Sequence, residues 1–329
     1  SISETDAKSV GTSITLHLNE NGVEYTNRWS IEQIVKKYSN HISFPIFLHY
    51  TEEKKDEKDN TTVEDKIEQI NAASAFWKQS KSNLKAEDYN SFYTSIGNDY
   101  QEPMFYIHTQ AEGALDYTTL FYIPKNAPHD MYQPDYVAGV KLYVKRVFIT
   151  DDEKELMPTY LRFLRGVIDT EDLPLNVSRE ILQQNKILSK IRTNSVKKVL
   201  SEFKSMSKDV EKYKTFYEQY GRPIKEGLYQ DQENKETLLE LVRFKSTKSD
   251  GLISFSDYTE RISGDQKNIY YITGGNESTL KNSPLLEMYN NKGIEVLILD
   301  DEIDEIIISS VPKYGEYQLK SVTHSDAAE

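Results

Sequence analysis

The chain has 329 residues, more than one hydrophobic core comfortably serves, so two or more domains are expected. Forty Lys and Arg against 53 Asp and Glu leave a formal charge of −13, which argues against a general nucleic-acid binder. There is no cysteine, which excludes disulfides, thiolate zinc sites and a cysteine nucleophile within it, and no apolar run is long enough to span a bilayer.

In chain order, residues 1–10 are polar and expected to fray. The N-terminus has no signal-peptide pattern, and the start at Ser1 rather than Met suggests a processed chain or a piece of a longer one. Ile14, Leu16 and Leu18 alternate across Thr12–Leu18, which predicts a half-buried strand, and Asn19-Glu20-Asn21-Gly22 predicts a turn. Ser30 is the expected N-cap of a helix whose apolar face is Ile31, Ile34, Val35 and Tyr38. Phe44–Tyr50 reads as a strand. The mixed-charge run Glu52–Asn60 can bury little, so it reads as a linker or an exposed hairpin tip. A new unit is expected near Val63, with strands at Leu120–Pro124 and Val140–Ile149 and a helix at Met157–Arg165 entered by Pro158. Ile187, Leu188, Ile191, Val196, Val199, Leu200 and Phe203 form a helical stripe. Residues 206–244 continue as helical patterns broken at Gly221, Pro223 and Gly227. Asn268–Thr273 and Ile294–Leu299 read as strands flanking a helix over Ser278–Asn290, a βαβ unit that predicts a parallel sheet.

Few motifs carry chemistry. No phosphate-loop or dinucleotide fingerprint occurs, nor an HExxH or GxSxG string. The six histidines (His17, His41, His49, His108, His129, His324) lack ligand spacing, so no metal site is expected. Thr273-Gly274-Gly275-Asn276 could cradle a phosphate but reads more simply as a turn. The acids of Asp300–Glu305 read as a solvated helix start rather than a cation site. Tyr93, Tyr100, Phe105, Tyr106, Phe121, Tyr122, Tyr132, Tyr136 and Phe148 crowd one unit. Some are core, and any exposed ones would make an adhesive surface for unfolded chains.

The most informative stretch is Leu173–Lys186, which gathers Pro174, Asn176, Ser178 and Arg179 just before the long helical stripe. An Arg held by a stiff turn at a helix start is well placed to meet a phosphate. The plain alternative is an Arg that anchors the turn to a neighbouring carboxylate, and the loop alone leaves both open.

The same stretch resembles the catalytic loop of the ninety-kilodalton heat-shock chaperones, HtpG in bacteria. Further strings resemble that family in one order: Lys37-Tyr38-Ser39-Asn40-His41-Ile42, Phe76-Trp77, Tyr122-Ile123-Pro124, Leu142–Ile149, Met157–Phe163, Gly166–Asp169, Lys267–Gly274 and Gly293–Leu297. The resemblance runs from about Gly11 to about Val322. It implies an α/β fold: a large αβα sandwich, a helical connector and a small αβα unit, preceded by a strand–helix segment. The implied boundaries are 1–50 for the tail of an N-terminal ATP-binding domain, 51–65 for a charged linker and 66–208 for the large subdomain. They continue with 209–245 for the connector, 246–322 for the small subdomain and 323–329 for a disordered tail.

By the same resemblance, Arg179 reaches the γ-phosphate of ATP held by the N-terminal domain, Gln183 is the loop's second catalytic polar residue, and Asn176 helps shape the loop. Cofactors would be ATP and Mg in the full-length protein, with none bound by this chain alone. This piece would therefore not be an enzyme by itself. Partners would be client proteins, the chain's own N-terminal ATPase and C-terminal dimerisation domains, and a second copy in a full-length homodimer. Nucleic acid and membrane are not among them, and the implied location is cytoplasmic. Tyr100 stands where family members often carry a Trp linked to client contact, and it keeps a flat amphipathic face with less area. Tyr100 and Phe148 are the expected client-binding aromatics. The competing reading is a stand-alone protein-binding scaffold without a role in ATP turnover.

Overall fold

The structure, a computed structural model, describes residues 10–55, 61–97, 99–151, 156–175 and 185–323. They divide into two units, one of residues up to Ala75 with Arg146–Phe148, the other of Phe76–Lys145 with the chain from Ile149 onward. The division falls beyond the expected boundary at residue 65, and the large and small sheets share the second unit.

In the first unit, residues 11–19 form no regular element, and Ile14 and Leu16 are exposed at 79% and 77%. The expected strand is therefore absent. Alternation alone makes no strand without a ladder to join, and no described strand pairs with it. Asn19 instead caps a 3-10 turn over Glu20–Thr26. Helix α1 spans Arg28–Tyr38 and is capped by Asn27 rather than Ser30, the Asn27 side chain accepting from Trp29 N at 2.8 Å. Its apolar face forms as expected, yet none of its residues is buried.

Strands β1 (Phe47–Lys55) and β2 (Thr61–Gln69) pair antiparallel, Phe47 opposite Gln69 and Lys55 opposite Thr61. The segment 51–65, expected as a linker, thus contributes a ladder on both sides of residues 56–60, which lie outside the described residues. Its charges suit a ribbon wet on both faces, and a Lys66–Glu52 ion pair crosses it. Arg28 donates to Glu32 and Glu68, each at 2.6 Å, and lies over the Tyr50 ring. The Asn71 amide accepts from Ile46 N at 2.8 Å and donates to Phe44 O at 2.9 Å, closing the hairpin base on the loop after α1.

Next come helix α2 (Ala86–Gly97) and the strands β3 (Phe105–Ala111), β4 (Tyr117–Ile123), β5 (Gly139–Val144), β6 (Val147–Thr150, whose Val147 and Phe148 count with the first unit) and β7 (Arg165–Thr170). The sheet order is β3-β4-β7-β5-β6, with β4 antiparallel to both neighbours and β5 parallel to β7. The run expected as one strand over Val140–Ile149 breaks at Lys145 and Arg146, whose φ angles of 52° and 67° turn the chain into a hairpin. Strand β4 is buried along its whole length because both its faces are covered. Tyr122 meets Phe92 and Tyr93 of α2 on one face. On the other, Phe121 and Ile123 join the core of helices α3 (Lys186–Met206) and α4 (Val210–Gln230). That layering is an αβα sandwich.

Two expected helix limits differ. Met157–Arg165 is a single 3-10 turn at Thr159–Leu161 leading into β7. Leu156, Tyr160, Leu161, Phe163 and Leu164 are all at or below 1% exposure there, and a segment buried all round shows no informative periodicity. Helix α4, conversely, runs unbroken through Gly221, Pro223 and Gly227. Pro223 removes one ladder donor, but Tyr220, Ile224 and Leu228 on either side are fully buried, and that packing outweighs the local cost. Gly227 admits Tyr160 and the α5 (Lys235–Leu241) residue Leu238, which a Cβ there would meet at 3.1 Å.

Strands β8 (Lys245–Ser246), β9 (Asn268–Ile272), β10 (Val296–Ile298), β11 (Lys313–Tyr314) and β12 (Tyr317–Ser321) form the small sheet in the order β11-β12-β9-β10-β8. Strand β9 is parallel to β10 and to β12, as the βαβ pattern predicts. The helix expected over 278–290 is split into α7 (Glu277–Lys281) and α8 (Glu287–Asn291), α6 being Phe255–Glu260. Ser283 and Pro284 start a new turn between them, a stop signal already present in the sequence. Leu280, Leu286 and Tyr289 cover one face of the sheet. Helix α9 (Glu302–Ile308) covers the other with Ile307 and Ile308.

Candidate functional site: the stems of the Arg179 loop

Asn176, Arg179 and Gln183 all lie in residues 176–184, outside the described residues. What the structure places are the two stems from which that segment departs. The leading stem is β7, held between β4 and β5. Its Gly166 has φ of 140°, and a Cβ there would lie 1.9 Å from Leu120 O, so only glycine lets β7 lie this close to β4. Asp169 is fully buried and accepts from the Trp77 indole at 2.8 Å, while Lys78 pairs with Glu171 at 3.1 Å. Beyond the strand, Thr170 Oγ1 and Glu171 N both donate to Asp116 O at 3.1 Å, and Asp116 N donates to Asp172 Oδ2 at 2.7 Å. Leu173, next in line, is 1% exposed.

The trailing stem is α3. Asn185 caps it, accepting from Ile187 N at 2.8 Å and Leu188 N at 3.3 Å, and Leu188 and Ile191 sink into the core. Its first turn carries no acid and begins with Lys186. Dipole and ammonium therefore have the same sign, a combination that costs helix stability and favours an anion nearby.

The other expected residues separate. Tyr100 is 92% exposed, on a loop whose Asp99 accepts from the buried Tyr93 hydroxyl at 2.6 Å and from Gln101 N at 3.0 Å. Phe148 is a correction. It is only 8% exposed, with its ring 5.7 Å from that of Tyr38, so it belongs to the packing of the first unit rather than to an open surface. Thr273–Asn276 is a turn, with Gly274 at φ of 98° and Asn276 spending its side chain on Thr279 N. The acids of Asp300–Glu305 are only partly solvated. Asp301 caps α9, but Asp304 is 1% exposed and lies 2.7 Å from Lys225 Nζ. Burial raises the Asp304 carboxyl, and the ammonium opposes that rise. Sequence reading missed this pair, whose one signal is a lysine inside the apolar face of α4. Among the described residues no three His, Cys, Asp or Glu side chains gather as a metal site, and no helix is long and apolar enough to cross a membrane.

A family model described as Hsp90 protein matches residues 49–328. The chain is 59% identical over 321 residues to chaperone protein HtpG of Treponema denticola, covering 96% of this chain and 50% of that protein. To HtpG of Helicobacter pylori it is 56% identical over 329 residues, covering 99% of this chain and 53% of that one. It thus spans about half the length of these relatives. Among solved structures it is similar to the middle domain of a Plasmodium falciparum protein described as a heat shock protein. That match has a TM-score of 0.69 and 34% identity, and covers 76% of this chain and 100% of that one. With the family model matching well over half of its residues, the chain belongs to the Hsp90 family.

Proposed function

We propose that this chain is the middle segment of an ATP-dependent chaperone, lending a phosphate-directed arginine to an ATPase domain outside it. The observation that carries the reading is the pair of rigid stems: a segment leaves a strand pinned at Thr170–Asp172 and re-enters a helix capped by Asn185. Anchored stems fix where the intervening segment starts and ends, and positioning is most of what phosphoryl transfer asks of a protein. Lys186 and the α3 dipole add positive potential where the loop ends.

ATP with Mg would supply the transferable phosphoryl group. Arg179 would stabilise the charge that builds on its oxygens, Gln183 would hold water or link the loop to the nucleotide, and Asn176 would shape the turn. Client proteins would meet the exposed ring of Tyr100, which follows the anchored Asp99. The dimeric, cytoplasmic setting belongs to the same reading.

In a full-length protein rebuilt around this chain, Arg179→Ala is expected to cut ATP turnover about 10²-fold while ATP affinity stays near wild type, since the lost contact acts mainly in the transition state. Arg179→Lys should rescue poorly, because an ammonium lacks the planar fork. Gln183→Ala should cost less than Arg179→Ala. Wild-type turnover in Arg179→Ala, or a loss that only tracks unfolding, removes Arg179 from the machinery.

A further inference from the structure

Helix α9, which covers one face of the small sheet, packs on α4. Much of that region is aliphatic: Ile224 and Leu228 of α4 and Ile307 of α9 are fully buried in one core. Set into it is an ion pair. Lys225 is 7% exposed, although Lys212 and Lys214 on the same helix are exposed. Asp304 is buried, although Glu302 and Glu305 beside it are exposed. The ammonium lies 2.7 Å from Asp304 Oδ1, 3.9 Å from Asp301 Oδ2 and 5.1 Å from the centre of the Phe244 ring.

The pair is close but poorly satisfied. Asp304 Oδ1 makes no aligned hydrogen bond, and Asp304 Oδ2 accepts from Asp301 N at 3.3 Å. The described residues offer the Lys225 ammonium no third carboxylate. Taking two charges out of water is costly, and their attraction offsets that cost only with good geometry and further hydrogen bonds. A pair of this kind therefore adds little net stability, while either charge left alone in the core would be worse. What the pair does supply is direction. Aliphatic ridges attract without direction and let one helix slip along another, whereas one ammonium and one carboxylate inside the core meet in a single register.

We propose that Lys225 and Asp304 form a registry device: the buried pair selects one docking of the small sheet and its helices on α4, at a net cost in stability. Slipping α9 along α4 strands both charges in the core, which excludes the other dockings that the aliphatic contact tolerates. Neither residue belongs to the stems of the Arg179 loop or to the surface around Tyr100.

The test removes the charges of the whole chain singly and together. Asp304→Leu and Lys225→Met should each lower the melting temperature by about 10 °C, because each leaves one buried charge without its partner. The double variant Lys225→Met/Asp304→Leu should melt at or above the wild-type temperature. Docking is read by pulsed electron resonance between spin labels at Lys214→Cys in α4 and Asn290→Cys in α8, exposed positions in a chain without cysteine. With the Lys225–Asp304 pair intact the labels should report one narrow distance, and in the double variant a broadened or two-peaked distribution at undiminished stability. The proposal is overturned if the double variant melts below wild type, which would make the pair a net stabiliser. It is equally overturned if the distances in the double variant stay as narrow as in wild type, or if a single substitution leaves the melting temperature unchanged.

Discussion

The two units are built from equally regular elements and differ in what those elements bury. In the second unit β4 has no exposed residue and contacts helices on both faces. In the first, a nine-residue hairpin ladder and an eleven-residue helix leave only Ile70, Asn71, Ala75 and Phe148 buried among the described residues. Secondary structure is thus no measure of local stability. Hydrogen bonds exchanged with water are nearly neutral, and the driving force is apolar area removed from solvent. The first unit relies on polar clasps, such as Asn71 on Ile46 and Phe44 and Arg28 on Glu32 and Glu68. Of these, the partly exposed Arg28 ion pairs contribute little each.

The sharpest way to break this contrast is to damage the buried unit by one methyl group. Gly166→Ala places a Cβ against Leu120 O in a backbone region that L side chains rarely adopt. It should cost about 4 kcal/mol, seen as a lower denaturation midpoint of the second unit with the first unit unaffected. An effect below about 1 kcal/mol would mean that β4 and β7 can separate without loss.

Amide exchange compares the units directly. Amides of β4 and β7 should be protected more strongly than those of β1 and β2, by about 3 kcal/mol, because the hairpin opens without exposing a core. Equal protection would show that the first unit gains its stability from something other than burial.

A titration separates them by pH. His108 lies in the second unit, its Nε2 2.8 Å from Trp77 O and its Nδ1 2.9 Å from Tyr89 Oη. The carbonyl requires Nε2–H to donate; when the ring is neutral, Nδ1 accepts from the Tyr89 hydroxyl. Burial holds its pKa below the ordinary 6.5, though the bond to Trp77 opposes that shift. The unfolded chain then takes up a proton that the folded one resists. Stability of the second unit should be intact above pH 6.5 and fall as pH drops through the folded value, and His108→Gln should flatten that slope. A slope unchanged by the substitution would assign it to other groups.

The smallest effect belongs to the first unit. Ala73 sits at φ of 51°, a left-handed conformation held by its N–H donating to Asn40 O at 3.1 Å. Ala73→Gly relieves the strain but frees the unfolded chain, so a net gain of about 0.5 kcal/mol is expected from the melting of residues 28–75. A loss would show that the turn carries no strain.

Much of this was legible in the residues. Periodicity located α1 and α3, and short apolar runs located β4 and the parallel β9–β10 pair, because each has one consistent environment along its length. The string around Arg179 and its neighbours pointed to the family that the matches over residues 49–328 bear out. Other features were decided by contacts distant in sequence. Asp169 meets Trp77, and Asp116 clamps Thr170 and Asp172, tying the stem of the candidate loop to residues more than fifty positions away. Pro223 and Gly227 read as breaks until Tyr160 and Leu238 close around them. Phe148 read as a surface aromatic until the Lys145–Arg146 turn brought it against Tyr38. Sequence by itself determines which segments carry an apolar face and which turns they can make, since both depend on near neighbours. Only the tertiary structure decides which faces find a partner, and therefore which helix survives a proline, which carboxylate is buried and which ring stays in water.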